Sequence, residues 1–197
     1  MELARQLKVV PGSVTNTIES LERRGLVAHE PYKGVRLTEK GRKLALDVLR
    51  RQRLAERLLT DILHLDWSEA HDAACKLEHA IADASIMKPL EKTLRHPKTC
   101  PHGNPMPSES GKIVEEESEP LLELEPNEKG IIIKVAEEKH EVLRHLAKLG
   151  LVPGTIVEIK EKELSRGPII VRVMESSFAL DHDVASIIWV KKSHFKR

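Results

Sequence analysis

One stretch, His71-Asp-Ala-Ala-Cys75-Lys-Leu-Glu78-His79, concentrates side chains that could do chemistry. On a helix turning ~100° per residue, with His71 as zero, Cys75 falls at ~40°, Glu78 at ~340° and His79 at ~80°. The four share one arc. Ala70, Ala74, Leu77 and Ile81 fall at ~240–300°, a separate apolar stripe, so a packing face adjoins a face made of metal-ligand types. Imidazole, thiolate and carboxylate together suit a borderline divalent transition ion. Taken singly, a cysteine is usually a small hydrophobe, and Glu and His on a helix are usually solvated. Four on one arc favour the metal. The two cysteines stand 25 residues apart, which excludes zinc-finger spacing. No H-E-x-x-H, Gly-rich phosphate loop or G-x-S-x-G elbow occurs. Cys100 and His102 form a second Cys/His pair, read as a structural loop pair rather than as a further metal site.

The elements that must position this arc are legible in outline. Pro11 stands where a first helical residue would, Val14, Ile18 and Leu21 repeat at helical spacing, and Gly25 stops the helix after Arg24. Val27–His29 and Val35–Leu37 flank Pro31-Tyr32-Lys33-Gly34 as a hairpin, and Thr38 caps a long helix running to about Leu63. Two helices, a tight turn and a two-stranded wing predict a winged helix-turn-helix. Asp66 and Glu69 read as a capping box opening a helix from about Trp67 to Ala84, and Pro89 interrupts before a piece at Leu90–Leu94. Cys100 to Gly130 is proline-rich and acidic, as a connector is. Beyond it come five short β-prone segments, Gly130–Ala136, Thr155–Lys162, Pro168–Met174, Ser177–Leu180 and Ser186–Lys191, with one helix at about Lys139–Leu149. That pattern predicts a small closed barrel. The fold class on this pattern is a mainly α N-terminal winged helix-turn-helix plus a helical metal domain, then a small all-β barrel. The boundaries are 1–45 for DNA binding, 46–107 for the helical domain, 108–128 for the linker and 129–197 for the barrel.

Composition narrows the function. Residues 1–60 carry a net charge of +6, 61–130 of −8 and 131–197 of +3, which pairs a polyanion-binding front with a cation-binding middle. Only five residues are aromatic, too few for recognition of single strands by stacking. No apolar run approaches the ~18 residues of a membrane span, and the charged N-terminus is no secretory signal, so the thiols are expected to be reduced in a cytoplasm. Ser13, Thr15, Asn16 and Thr17 lie near the start of the second helix, away from its apolar stripe. From there short hydroxyl and amide side chains reach phosphates and base edges. Lys33 at the wing tip is a phosphate contact, which positions without specifying.

The strings S-V-T-N-T-I-E-S-L-E-R-R-G-L-V (13–27), V-R-L-T-E-K-G-R-K-L-A (35–45), R-L-A-E-R-L-L-T-D-I-L (53–63), H-D-A-A-C-K-L-E-H (71–79) and C-P-H-G-N-P (100–105) resemble the metal-dependent repressors of the diphtheria-toxin-repressor and iron-dependent-regulator type. L-G-L-V-P-G-T-I-V-E-I (149–159) resembles the ferrous-transport-A-like barrel appended to many of them. The resemblance covers essentially the whole chain. It implies that the helical domain also serves dimerisation and that the barrel is of Src-homology type. It implies as well a primary metal site on Cys75, Glu78 and His79 and an ancillary site on Glu56 and His71. Gln52 stands where the family has a further ancillary histidine, and an amide is a poorer ligand. The barrel's acidic contributions fall near Lys134, which cannot ligate, and Glu137, the replacement candidate. Family members begin with an extra helix that supplies a Met or Asp ligand; Met1 does not match that position, so the chain is expected to lack this helix. Leu3 and Leu7, with Val14, Ile18 and Leu21, would then be partly uncovered.

The reading is a cytoplasmic homodimeric repressor that binds double-stranded operator DNA when loaded with Fe²⁺ or Mn²⁺. It is not an enzyme, and neither a membrane nor a small-molecule substrate is a partner. Its rivals are a winged-helix regulator answering an organic ligand and, behind that, a metal-dependent hydrolase, for which no candidate general base stands out. If the Cys75 sulfur touches the ion, Fe²⁺ is favoured over Mn²⁺. His79→Ala should abolish metal-dependent operator retardation in a mobility-shift assay while leaving fold and dimer intact. An unchanged metal response would overturn the site.

Overall fold

The computed structural model describes residues 2–30, 34–163 and 167–193. The chain divides into two compact units, Met1–Leu49 and Arg50–Arg197.

In the first unit, α1 (Glu2–Gln6) ends at Lys8, whose positive φ turns the chain into α2 (Pro11–Arg23). Pro11 opens α2 with φ already helical and no N–H to leave unpaired. Gly25, at φ +68°, closes it: the amides of Gly25 and Leu26 donate to the carbonyls of Glu22 and Leu21 at 2.8 and 2.9 Å. The wing follows as β1 (Val27–Glu30) and β2 (Gly34–Leu37), antiparallel with Val27 opposite Leu37. Lys33 lies outside the described residues. Thr38 caps α3 (Glu39–Arg57) by accepting the Gly41 amide at 3.0 Å, and its hydroxyl donates to the Gly25 carbonyl at 2.7 Å. A Cβ on Gly41 would stand 1.8 Å from the Leu26 carbonyl oxygen, so only glycine lets this turn approach the strand. The core here is small: Ala4, Leu26 and Val27 are buried, while Leu3, Leu7, Val9 and Val10 are exposed.

In the second unit α3 ends in a π turn (Leu58–Ile62), closed by the Leu63 amide on the Leu58 carbonyl. The next helix differs from expectation at both ends. Asp66 does not form a capping box; its carboxylate accepts the Ser68 amide and hydroxyl at 2.9 and 2.6 Å, a local turn that delays α4 to Ala70–Leu77. Nor does the helix run to Ala84. It stops before Glu78, and Asp83 caps a new helix, α5 (Ala84–Thr93), by accepting the Ser85 amide at 2.7 Å. Pro89 sits inside α5 rather than breaking it. Leu54, Ala55, Ala74, Ile81 and Leu90 form one core, with Leu58, Leu59, Leu77, Met87, Leu94 and Met106 packed against it.

The β half is one antiparallel sheet in the order β3-β8-β4-β5-β6-β7. Its strands are β3 (Glu119–Pro120), β4 (Lys129–Val135), β5 (Ile156–Lys162), β6 (Ile169–Val173), β7 (Ser176–Leu180) and β8 (Ile188–Lys192), with α6 (His140–Lys148) and α7 (His182–Ser186) between. Bulges at Ile132/Lys134 and Ile159/Glu161 curl the sheet around one core. Among the described residues β3 and β7 are its ends, so the barrel is wrapped rather than hydrogen-bonded all round. β3 comes from the expected connector, and the following turn buries Leu121 and Leu124 completely in that core. Substituting Gly41→Ala should destabilise the first unit by about 1–3 kcal/mol, since backbone cannot yield to the new methyl, measured by urea unfolding.

Candidate metal centre

Glu56, in the last turn of α3, is the focus of the second unit. Its side chain is 1% exposed, and an isolated carboxylate in such a place is costly. Two histidines share it. Glu56 Oε1 lies 3.0 Å from Nδ1 of His71 on α4, and Oε2 lies 3.6 Å from Nδ1 of the fully buried His102. Glu56 Oε2 has no hydrogen-bond partner among the described residues. Glu138, just before α6, completes one group, with Oε2 3.2 Å from His71 Nδ1. Cys100, fully buried, completes the other, with Sγ 3.9 Å from His102 Nδ1. Among the described residues these are the two groups, Glu56–His71–Glu138 and Glu56–Cys100–His102, whose ligand atoms all lie within 4.8 Å of one another.

The surroundings prepare these side chains. His102 Nε2 lies 3.0 Å from the Trp67 carbonyl and donates to it, which fixes the ring so that Nδ1 is the nitrogen facing Glu56 and Cys100. Trp67 packs against the barrel core, donates Nε1–H to the Pro101 carbonyl at 2.9 Å and tilts over the His102 ring, 5.0 Å between centroids. Three arginines spaced along one face of α3 fix the Cys100 turn by its carbonyls. Arg50 donates to Pro107, Arg53 to Pro105, and Arg57 to Thr99 and Cys100. Gly103, at φ +85°, docks the turn onto β4, since a Cβ there would stand 2.0 Å from the Ile133 carbonyl oxygen. The Val135 amide then donates to the His102 carbonyl at 2.9 Å.

The expected residues distribute unevenly. Glu56 and His71 meet. Glu138, and not its neighbour Glu137, reaches them; the Glu137 carboxylate instead accepts the amides of Glu138 and Lys139 and pairs with Lys139 Nζ. Lys134 is committed to Glu115 and stands 4.8 Å from the Trp189 ring centroid. Gln52, in the histidine's place, touches the cluster with Nε2 3.1 Å from His71 Nδ1 and 3.6 Å from Cys75 Sγ. Cys75 is exposed, with Sγ 3.9 Å from His71 Nε2. Glu78 and His79 lie past the end of α4, and His79, 81% exposed, approaches Glu78 at 3.6 Å. Cys75, Glu78 and His79 are not one of the two convergent groups, although Glu78 Oε2 is buried without a hydrogen-bond partner among the described residues. Cys100 and His102, read from sequence as a loop pair, converge on Glu56. The signal was the C-x-H spacing, but nothing in the sequence places it beside α3.

In unit 1, Ser13, Thr15, Asn16 and Thr17 are all exposed along α2. The Thr15 and Thr17 hydroxyls donate to the Pro11 and Ser13 carbonyls one turn back.

Each group has donors that suit a divalent transition ion, two carboxylates and an imidazole in one and a carboxylate, an imidazole and a thiol in the other, with Glu56 shared between them. Protons occupy these donors otherwise. Burial pushes the Glu56 carboxyl up, but the neighbouring His102 and His71 outweigh that and hold it down to about 2. The hydrogen bond to Glu56 raises His71 against the opposing effect of burial, and burial, with Glu56 and Glu138, pushes the Cys100 thiol up to about 12. A cation must displace the protons of His71 and Cys100. Titration of the protein with Mn²⁺ in weak buffer should therefore release protons, and apparent affinity should climb as pH rises through the raised His71 range, and further above it where Cys100 is a ligand. Trp67 fluorescence should respond to the same titration.

Comparison with known proteins follows this division. Residues 1–35 match the iron-dependent repressor N-terminal DNA-binding domain, 38–108 the iron-dependent repressor metal-binding and dimerisation domain, and 119–192 the FeoA domain. The chain is similar to the diphtheria toxin repressor of Corynebacterium glutamicum, 33% identical over 96% of this chain and 86% of that one. It is similar also to the iron-dependent repressor IdeR of Mycobacterium tuberculosis, 32% identical over 96% and 87%. Among solved structures, a manganese-dependent transcriptional repressor in complex with manganese superposes with a TM-score of 0.87 at 28% identity, covering 97% of this chain and 89% of that one. IdeR of T. acidophilum superposes at 0.80 and 26% identity, over 98% and 88%. From the DNA-binding front to the barrel, the chain belongs to the iron-dependent repressor family.

Proposed function

We propose that this chain is a metal-dependent transcriptional repressor: it binds double-stranded operator DNA through α2 and the wing, as a homodimer in the cytoplasm, with Fe²⁺ or Mn²⁺ as corepressor and no catalytic turnover. The observation that carries the reading is Glu56, a buried carboxylate with one oxygen unpartnered and ligand-type side chains drawn in from three other segments of the chain. The FeoA-type barrel and the iron-dependent-repressor matches support it. We take the domains as 1–45, 46–107, 108–128 and 129–197, the division expected from sequence, except that Glu119–Leu124 adds its buried leucines to the barrel core and so belongs with it.

A divalent cation would supply charge neutralisation here, held by Glu56, His71 and Glu138 in one group or by Glu56, Cys100 and His102 in the other. The protein's own residues do the rest. Glu56 offers one oxygen to each group, His71 faces Glu56 and Glu138 with Nδ1 and Cys75 with Nε2, and Trp67 holds the His102 tautomer. Cys75, Glu78 and His79 form the second place for an ion, assembled only when His79 folds in from solvent toward the buried Glu78 carboxylate. Such coupling shifts the protein toward the DNA-competent state by the difference in affinity between states. On α2, Ser13, Thr15, Asn16 and Thr17 are exposed for phosphates and base edges, and Lys33 is the further phosphate contact expected from sequence.

A mobility-shift assay tests this. Promoter DNA should be retarded with Fe²⁺ or Mn²⁺ and released by chelator, and the affinity should fall steeply with salt as counterions return to the phosphates. Glu56→Gln should raise the Mn²⁺ concentration required at least about tenfold. Retardation indifferent to chelator would overturn the corepressor role.

A further inference from the structure

Asn104 stands between the two ligand groups without belonging to either. Its side-chain Nδ2 donates to Glu138 Oε1 at 2.9 Å and lies 3.4 Å from the Val135 carbonyl, which uses both protons of the amide. Its backbone carbonyl accepts the Cys100 amide at 2.8 Å. Glu138 Oε2, the oxygen that Asn104 leaves open, is the one that faces His71 at 3.2 Å. The neighbouring Gly103 brings the turn against β4 closely enough for this short side chain to reach across.

We propose that Asn104 is a positioning residue of the metal centre: it aims the Glu138 carboxylate at Glu56 and His71 with its side chain, and holds Cys100 in the turn with its backbone. The inference rests on the metal-centre reading above. Without the amide, Glu138, on the exposed-side connection between β4 and α6, is free to rotate about its side-chain bonds. The entropy of fixing it then falls on metal binding. Because the Cys100 contact is made by backbone, removing the side chain separates the two tasks. Asn104→Ala loses the aim of Glu138 and keeps the thiol in place.

The experiment is a double-mutant cycle on the full chain, read by calorimetric titration with Mn²⁺ and by the electronic spectrum with Co²⁺. Asn104→Ala should weaken Mn²⁺ binding about 10- to 100-fold, and Glu138→Ala by a similar factor. The double variant should be no weaker than Glu138→Ala within about threefold, since Asn104 acts through Glu138. In a Cys75→Ser background, which leaves Cys100 as the one thiol, the thiolate-to-Co²⁺ charge-transfer band should survive in Asn104→Ala, while the ligand-field bands shift as one carboxylate is lost. If the alanine variant does not fold, Asn104→Leu serves, because it keeps the approximate volume and removes the amide donors without adding charge; the same weakening is expected. Multiplying losses in the double variant, unchanged Mn²⁺ affinity, or a vanished charge-transfer band would each overturn the positioning role. Mn²⁺ affinity in the unsubstituted protein that is absent, or indifferent to Glu56→Ala, would instead overturn the metal centre itself, and this inference with it.

Discussion

A buried carboxylate is the constraint on which the second unit depends. Glu56 could have been a leucine at its place in the helix: Leu54 and Ala55 beside it are fully buried in the helical core. Replacing a buried ionic group by an apolar one is often neutral or stabilising, so its presence calls for a compensating partner. In the absence of a cation, that partner is supplied by two imidazoles, of which His71 is held charged more readily than usual by the hydrogen bond to Glu56. Protons bound at these side chains would have to leave for a cation to bind among them.

Around that carboxylate the remaining elements read as supports. The arginines of α3 turn the backbone carbonyls of the Cys100 turn toward the helix and satisfy them, so a turn that would otherwise bury polar groups is held by charge-assisted bonds. Gly103 removes the side chain that would keep this turn off β4. Trp67 spends its ring on the barrel core and its carbonyl on His102, which makes barrel packing and imidazole orientation one event. His140 adds a second such tie, with Nδ1 2.9 Å from the Ser68 carbonyl. The barrel is therefore part of the centre's scaffold, and it contributes Glu138 through the connection that leads into α6.

The winged helix was legible because its signals are local. Pro11, Gly25, Thr38 and the helical repeat of Val14, Ile18 and Leu21 each act within a few residues, and the structure uses each as its local chemistry demands. The five β segments and α6 were legible for the same reason, from alternation and length. The local reading failed where two local signals compete. Asp66 has Glu69 three residues on but Ser68 nearer, and the serine wins with two hydrogen bonds. Around Asp83 two signals compete again: Pro89 reads as a boundary, but the Asp83 cap on the Ser85 amide starts α5 ahead of it and the helix carries the proline inside.

What the sequence by itself determined was the kind of chemistry and most of the elements that carry it: Glu56 and His71 as ligand types on neighbouring helices, and a barrel to follow. Only the tertiary structure decided the membership of the centre. Glu137 and Glu138 are indistinguishable as letters, and the choice between them depends on which carboxylate the β4–α6 connection turns inward and which one is captured by Lys139. Cys100 and His102 are 44 and 46 residues from Glu56 along the chain, and their approach rests on a glycine without a Cβ and on arginines reaching backbone carbonyls. Contacts of that range leave no periodicity in the sequence, because they are set by how packed elements meet and not by the turn of any one helix.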